Sequence, residues 1–229
     1  MKGTKKMKKE LIYSMTDHTN LNKTATKKDI EKLCTEAKYY HAASVCVPPY
    51  YVSYAKSLLK DSDVKVCTVI GFPNGYSDYY IKELETTNAL SHGADEIDMV
   101  ININALKNGF LSVVENDILA VRKACDSPRF GGHIILKVII ETCLLTDEEI
   151  KTMCNVCINC GADYIKTSTG FDKEGATVHA VEVMKKEIGN RPLKIKAAGG
   201  IRDIETAEKM IKAGASRIGD SKVIPAIDN

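Results

Sequence analysis

The chain has 229 residues, of which 44% are apolar and 27% charged, with a formal net charge of +2. That length and composition suit one large globular domain or two small ones, and so slight a charge gives no reason to expect nucleic acid or an anionic membrane as a partner. No stretch approaches the length of a membrane span.

The basic start, "MKGTKKMKK", lacks an apolar h-region and is therefore not a secretory signal. It reads as a solvated tail over residues 1–9 ahead of one domain over 10–229, and the expected compartment is the cytoplasm. Short β-branched runs then alternate with longer amphipathic stretches. The strand candidates are "LIYSMTDHT", "AASVCVP", "VKVCTVIGF", "DEIDMVINI", "HIILKVIIET", "ADYIKTST", "LKIKAAGG" and "SRIGDS". Helical patterns lie between them at 26–40, 50–60, 77–92, 111–125, 146–158, 174–188 and 203–213. Several open on a capping residue, as in "TATKKDIEKL", "TDEEI" and "RDIETAEKM". The phrases "SHGAD", "NCGAD" and "KAGAS" repeat one joint: helix end, glycine C-cap, next strand.

Eight cysteines are present, five of them isolated among apolar neighbours, where a thiol packs as a small hydrophobe. "CNVCINC" (Cys154, Cys157, Cys160) looks like part of a metal-binding run, but it follows a capped acidic helix start, so Cys154 and Cys157 share a helical face. No fourth cysteine or paired histidine completes a ligand set, and the run reads as packing. No metal is expected.

Eight strands separated by seven helices imply parallel pairing, since each crossover returns the chain to the same end. At this length the pattern matches a single α/β domain, a (β/α)8 TIM barrel near its minimum size. A doubly wound sheet is the alternative, but the opening G-x-G-x-x-G is missing.

In a barrel, polar residues at the carboxyl ends of the strands form the site. Those residues are Asp17, His18, Cys46, Asp98, Asn102, Lys137, Glu141, Lys166, Lys196, Arg202 and Ser221. Three strand lysines with nearby acids are unusual for a core. A lysine with a pKa of about 10.4 is neutral in roughly one molecule in a thousand near pH 7. Desolvation and a neighbouring cation both favour the neutral amine, which attacks a carbonyl to give a Schiff base, an electron sink for C–C bond making or breaking. Lys166 and Lys196 lie near the ends of neighbouring strands, and geometry alone does not say which is the nucleophile. "STG", "AGGIR" and "IGDS" place glycines and hydroxyls before helix starts, as loops that cradle phosphate do. A phosphorylated carbonyl compound is the expected substrate.

The blocks "DHT" (17–19), "TVIGFPNG" (68–75), "EIDMVINI" (96–103), "KVIIET" (137–142), "YIKTSTGF" (164–171) and "KAAGGIR" (196–202) resemble deoxyribose-phosphate aldolase, in order and across nearly the whole chain. The resemblance implies a class I aldolase without metal or other cofactor, reversibly cleaving 2-deoxy-D-ribose 5-phosphate to acetaldehyde and glyceraldehyde 3-phosphate. It puts the Schiff-base lysine at Lys166, the second lysine at Lys196, the proton-relay aspartate at Asp98, and at Asp17 an aspartate that holds the network. Cys46 and Thr167 fall near the substrate. The phosphate is expected at Gly170, Gly199, Gly200 and Gly219, with Arg202 and Ser221 close by. A homodimer is the family expectation, with neither nucleic acid nor membrane as partner.

Three departures stand out. The eighth strand ends "GDSKV" where family members commonly read "GTSSG", bringing the charge of Asp220 toward a phosphate, with Lys222 as a compensating cation. "ININAL" has Asn104 where glycine is common. The tyrosine-ended tail of some members has no counterpart here, which implies reduced turnover.

Overall fold

The β-branched runs become eight strands: β1 (Thr16–Thr19), β2 (Ser44–Val47), β3 (Lys65–Ile70), β4 (Glu96–Val100), β5 (Ile135–Ile139), β6 (Tyr164–Lys166), β7 (Lys194–Ala198) and β8 (Arg217–Asp220). In this computed structural model, which describes residues 9–225, they close into a barrel in chain order, every pair parallel. Isoleucine and valine dominate the positions that face the helices, which is why each strand is buried on both sides.

The helices are α1 (Lys9–Ser14), α2 (Lys27–Tyr39), α3 (Val52–Leu58), α4 (Tyr79–Ser91), α5 (Ile103–Lys107), α6 (Leu111–Cys125), α7 (Asp147–Asn159), α8 (Val178–Ile188) and α9 (Ile204–Ala213). Thr26 with Asp29, and Thr146 with Glu149, form reciprocal capping boxes that fix where α2 and α7 begin. The three repeated glycine joints are left-handed, with φ of 98°, 72° and 126° at Gly93, Gly161 and Gly214.

Two local readings change. "LIYSMTDHT" is not one strand: Leu11–Ser14 continues α1, which buries Ile12 and Tyr13, and the strand begins at Thr16. The closing "INI" of "DEIDMVINI" does not extend β4, which ends at Val100. Asn102 accepts from the Ala105 amide and starts α5. Of the basic tail expected over 1–9, only Lys9 falls within the described residues, where it opens α1.

Cys154, Cys157 and Cys160 pack in the apolar core, and burial pushes the thiols of Cys154 and Cys160 up to about 12 and about 11. None of the described helices is long and apolar enough to cross a membrane.

Candidate active site

Strand alternation sends every second residue of β4 into the barrel, so Glu96 and Asp98 point the same way. Parallel register sets Asp98 beside Lys137 of β5, and Lys166 of β6 beside Lys196 of β7. The side chains converge on Asp98. Its Oδ2 accepts from Lys166 Nζ and Lys196 Nζ, both at 2.7 Å, and its Oδ1 accepts from Lys137 Nζ at 2.9 Å.

Beneath this point the network continues. Lys196 Nζ lies 2.5 Å from Asp17 Oδ2, and Lys137 Nζ lies 2.6 Å from Glu96 Oε2. Arg217, at the start of β8, bonds Asp17 Oδ1 at 2.6 Å and reaches Glu96 at 3.5 Å. Asp17, Asp98, Lys137 and Lys196 are wholly buried, whereas Lys166 retains 4% exposure, at the floor of the cavity above. Lys166 is thus the amine of this cluster that a ligand can reach.

Charges this deep survive only because they are paired. For Asp98, burial favours the neutral acid, but Lys137, Lys166 and Lys196 outweigh it and hold the carboxyl well below its usual range. Asp17 is lowered in the same way, against burial, by Lys196, Lys137 and Arg217. For Lys196, burial opposes the charge, yet Asp17 and Asp98 raise the ammonium above its ordinary value; Lys137 is raised by Asp98, Cys67 and Glu96. Lys137, Lys196 and Arg217 balance Asp17, Glu96 and Asp98 charge for charge, and a protonated Lys166 adds one surplus cation.

Above Lys166 opens a cavity of about 650 Å³ lined by Gly170, Gly199, Gly200, Arg202, Gly219 and Ser221, along with Thr169, Lys222 and other rim residues. Gly170, Gly175 and Gly199 pack backbone against backbone: a Cβ on Gly175 would fall 2.2 Å from the Gly199 carbonyl. A Cβ on Gly219 would meet Lys196 Cε at 3.0 Å, so this glycine makes room for the second lysine as well as lining the cavity.

Two of the residues expected near the substrate do not border this cavity. Thr167 does not line the cavity; its hydroxyl donates to the Ala198 carbonyl and accepts from the Ala198 amide, stitching β6 to β7. Cys46 is fully buried and does not border the cavity, and a hydrogen bond with Cys67 lowers its thiol against burial. Sequence reasoning missed Glu96, Cys67, Arg217 and Thr169. Glu96 could have been found, because it lies two residues before Asp98 on the same strand. Thr169 donates its hydroxyl to Glu141, whose carboxyl is raised by burial against the help of Thr169.

An open cavity over a buried amine, at the carboxyl rim of a parallel barrel, is the arrangement of a class of carbon–carbon lyases, the barrel aldolases. The family model for DeoC/LacD family aldolases matches residues 11–223, and the chain belongs to that family. It is 51% identical over 211 residues to a deoxyribose-phosphate aldolase of Brevibacillus brevis, covering 92% of each chain. It is 53% identical over 205 residues to the enzyme of that name from Streptococcus gordonii, covering 90% of each. Among solved structures it resembles a tetrameric deoxyribose phosphate aldolase from Aeropyrum pernix, with a TM-score of 0.84 and 30% identity over 93% of this chain and 88% of that one.

Proposed function

We propose that this aldolase cleaves 2-deoxy-D-ribose 5-phosphate reversibly to acetaldehyde and D-glyceraldehyde 3-phosphate, with Lys166 as the Schiff-base nucleophile. One observation carries the assignment: of the two amines that share Asp98 Oδ2, Lys166 alone borders the cavity, while Lys196 is sealed behind it by Asp17. The names of the relatives at about half identity supply the substrate.

The neutral amine of Lys166 adds to the C1 aldehyde of the open-chain sugar and expels water, giving a protonated imine. The C2–C3 bond then breaks. Its electron pair flows into the iminium to form an enamine, the C3 hydroxyl proton leaves, and glyceraldehyde 3-phosphate departs. Protonation at C2 and hydrolysis release acetaldehyde and the free amine. Asp98 bridges both lysines and serves as the proton relay; Lys196, held protonated by its two carboxylates, is the nearby donor. Asp17 and Lys137 hold Asp98 and Lys196 in place. The phosphate of the substrate binds on the rim at Gly170, Gly199, Gly200 and Arg202, with Ser221 and Lys222 facing it.

The reading extends to a cytoplasmic homodimer. All eight cysteines are free, as a reducing compartment keeps them. Outside the barrel, α4 exposes Tyr80, Ile81 and Leu84, an apolar face that a second copy would cover. Light scattering should give twice the chain mass, and Ile81→Asp should lower it to the monomer.

Borohydride reduction in the presence of acetaldehyde tests the chemistry directly. Peptide mass spectrometry should find an ethyl adduct on Lys166, and a mark on another lysine would overturn the assignment. Lys166→Ala should lose at least about four orders of magnitude in kcat, since it removes the covalent route. Activity should be unchanged by EDTA.

A further inference from the structure

Asp220 ends β8 at the lip of the cavity and is only 7% exposed. Its carboxylate does not point to water. It accepts the backbone N–H groups of Lys222 and Val223, folding the Ser221–Val223 turn around itself. Burial raises this carboxyl, and the turn amides and His18 oppose the rise. Successive amides converging on one anion make the concavity that elsewhere in proteins receives a phosphate oxygen. Here the anion is supplied by the chain.

The opposite lip differs. Among the described residues, the backbone N–H groups of Gly170, Gly200 and Arg202 have no intramolecular acceptor. The Arg202 side chain borders the same space. A ligand anion therefore finds open donors on the β6–β7 side and a fixed negative charge on the β8 side. Lys222, two residues from Asp220, also borders the cavity, but it is exposed and forms no ion pair with Asp220 among the described residues, so solvent screens its charge more than the buried carboxylate's. At such a rim, two like charges a few ångströms apart repel appreciably, even with solvent screening.

We propose that Asp220 is a specificity-determining residue: by occupying the β8 turn amides with its own carboxylate, it confines the substrate phosphate to the β6–β7 lip and weakens the preference for phosphorylated over uncharged deoxy sugars. The inference rests on the reading of the reaction given above. It adds a second substrate class, 2-deoxyaldoses without phosphate, which meet no repulsion from Asp220 and need none of the rim amides.

The test compares the wild type with Asp220→Asn, which keeps an acceptor for the turn, and Asp220→Glu, which keeps the charge. Steady-state kinetics are measured with 2-deoxyribose 5-phosphate and with 2-deoxyribose. Binding of inorganic phosphate is measured by calorimetry, without turnover, and melting curves report that each variant is folded. In Asp220→Asn, the KM for the phosphorylated sugar and the Kd for phosphate should fall together by about tenfold, the gain from removing one nearby like charge. The kcat values, and KM for the uncharged sugar, should stay within about twofold, and Asp220→Glu should show no gain in phosphate affinity. Unchanged or weakened phosphate binding in a folded Asp220→Asn protein would overturn the proposal, as would an equal gain in Asp220→Glu. If the wild type cleaves neither sugar, the reaction assigned above is wrong, while the calorimetric comparison still decides the role of Asp220.

Discussion

Lys166 is distinguished from its neighbours by what it lacks. Lys137 pairs with both Glu96 and the Oδ1 of Asp98, and Lys196 has Asp17 as well as Asp98, but Lys166 has only a single oxygen of Asp98, which it shares with Lys196. The balance of three carboxylates against three other cations leaves Lys166 as the group whose neutral form completes charge compensation. Residues that never touch substrate therefore hold the charges around the amine. Lys137→Met leaves Glu96 and the Oδ1 of Asp98 without their shared buried cation and should lower kcat/KM by roughly tenfold, about 1.4 kcal/mol of barrier. The double variant Lys137→Met with Glu96→Gln removes the stranded anion too and should recover part of that loss. No recovery in a folded double variant would show that the effect is distortion and not charge. The sequence displayed the lysines and Asp98 through strand position, and the family resemblance chose Lys166. It did not display Arg217 or the descent of the network to Glu96, because these depend on which side chains meet across a closed barrel, not on neighbours along one strand.

Between elements, the same economy of buried charge appears once more, outside the barrel. Lys82 of α4 and Asp117 of α6 form a fully enclosed pair at 2.6 Å, and Asp117 also accepts the Asn102 amide that leads into α5. Burial lowers the Lys82 ammonium and raises the Asp117 carboxyl, each resisted by its partner. Asp117→Ala strands the lysine and should destabilise the fold by about 3–5 kcal/mol, read from the urea midpoint. The double change Lys82→Met with Asp117→Leu should recover most of that loss, leaving about 1 kcal/mol for the orphaned Asn102 amide. No recovery in the double variant would mean that the pair itself, and not the desolvated charge, holds α4 against α6. Periodicity located α4 and α6 to within two residues because their stripes are long. It failed at α1 and α5, which have six and five residues, too few for a helical period to show against β-branched neighbours.

For the whole molecule, the ionic column through the barrel ties global stability to pH with a definite sign. Asp17 and Asp98 are held below their ordinary value in the fold. As pH falls through about 4, the unfolded chain takes up protons there while the folded chain does not, so stability present above that pH is lost below it. Lys137, Lys196 and Arg217 are held above their ordinary values, so their contribution is complete below about pH 10 and is lost as pH rises further. Asp117, Glu141 and Asp220 act in the opposite sense: their raised carboxyls favour the fold as pH falls toward the mildly acidic range. The urea midpoint should therefore hold or rise slightly from pH 7 to about 5, then drop steeply below about 4 as the barrel carboxylates protonate in the unfolded chain. A midpoint that stays level down to pH 2.5 would mean that Asp17 and Asp98 release their lysines as easily in the fold as in the open chain. The cluster would then be too loosely paired to hold a neutral Lys166 beside a protonated Lys196. The acid limb of stability and the catalytic assignment thus test the same pairing, one by unfolding and the other by turnover.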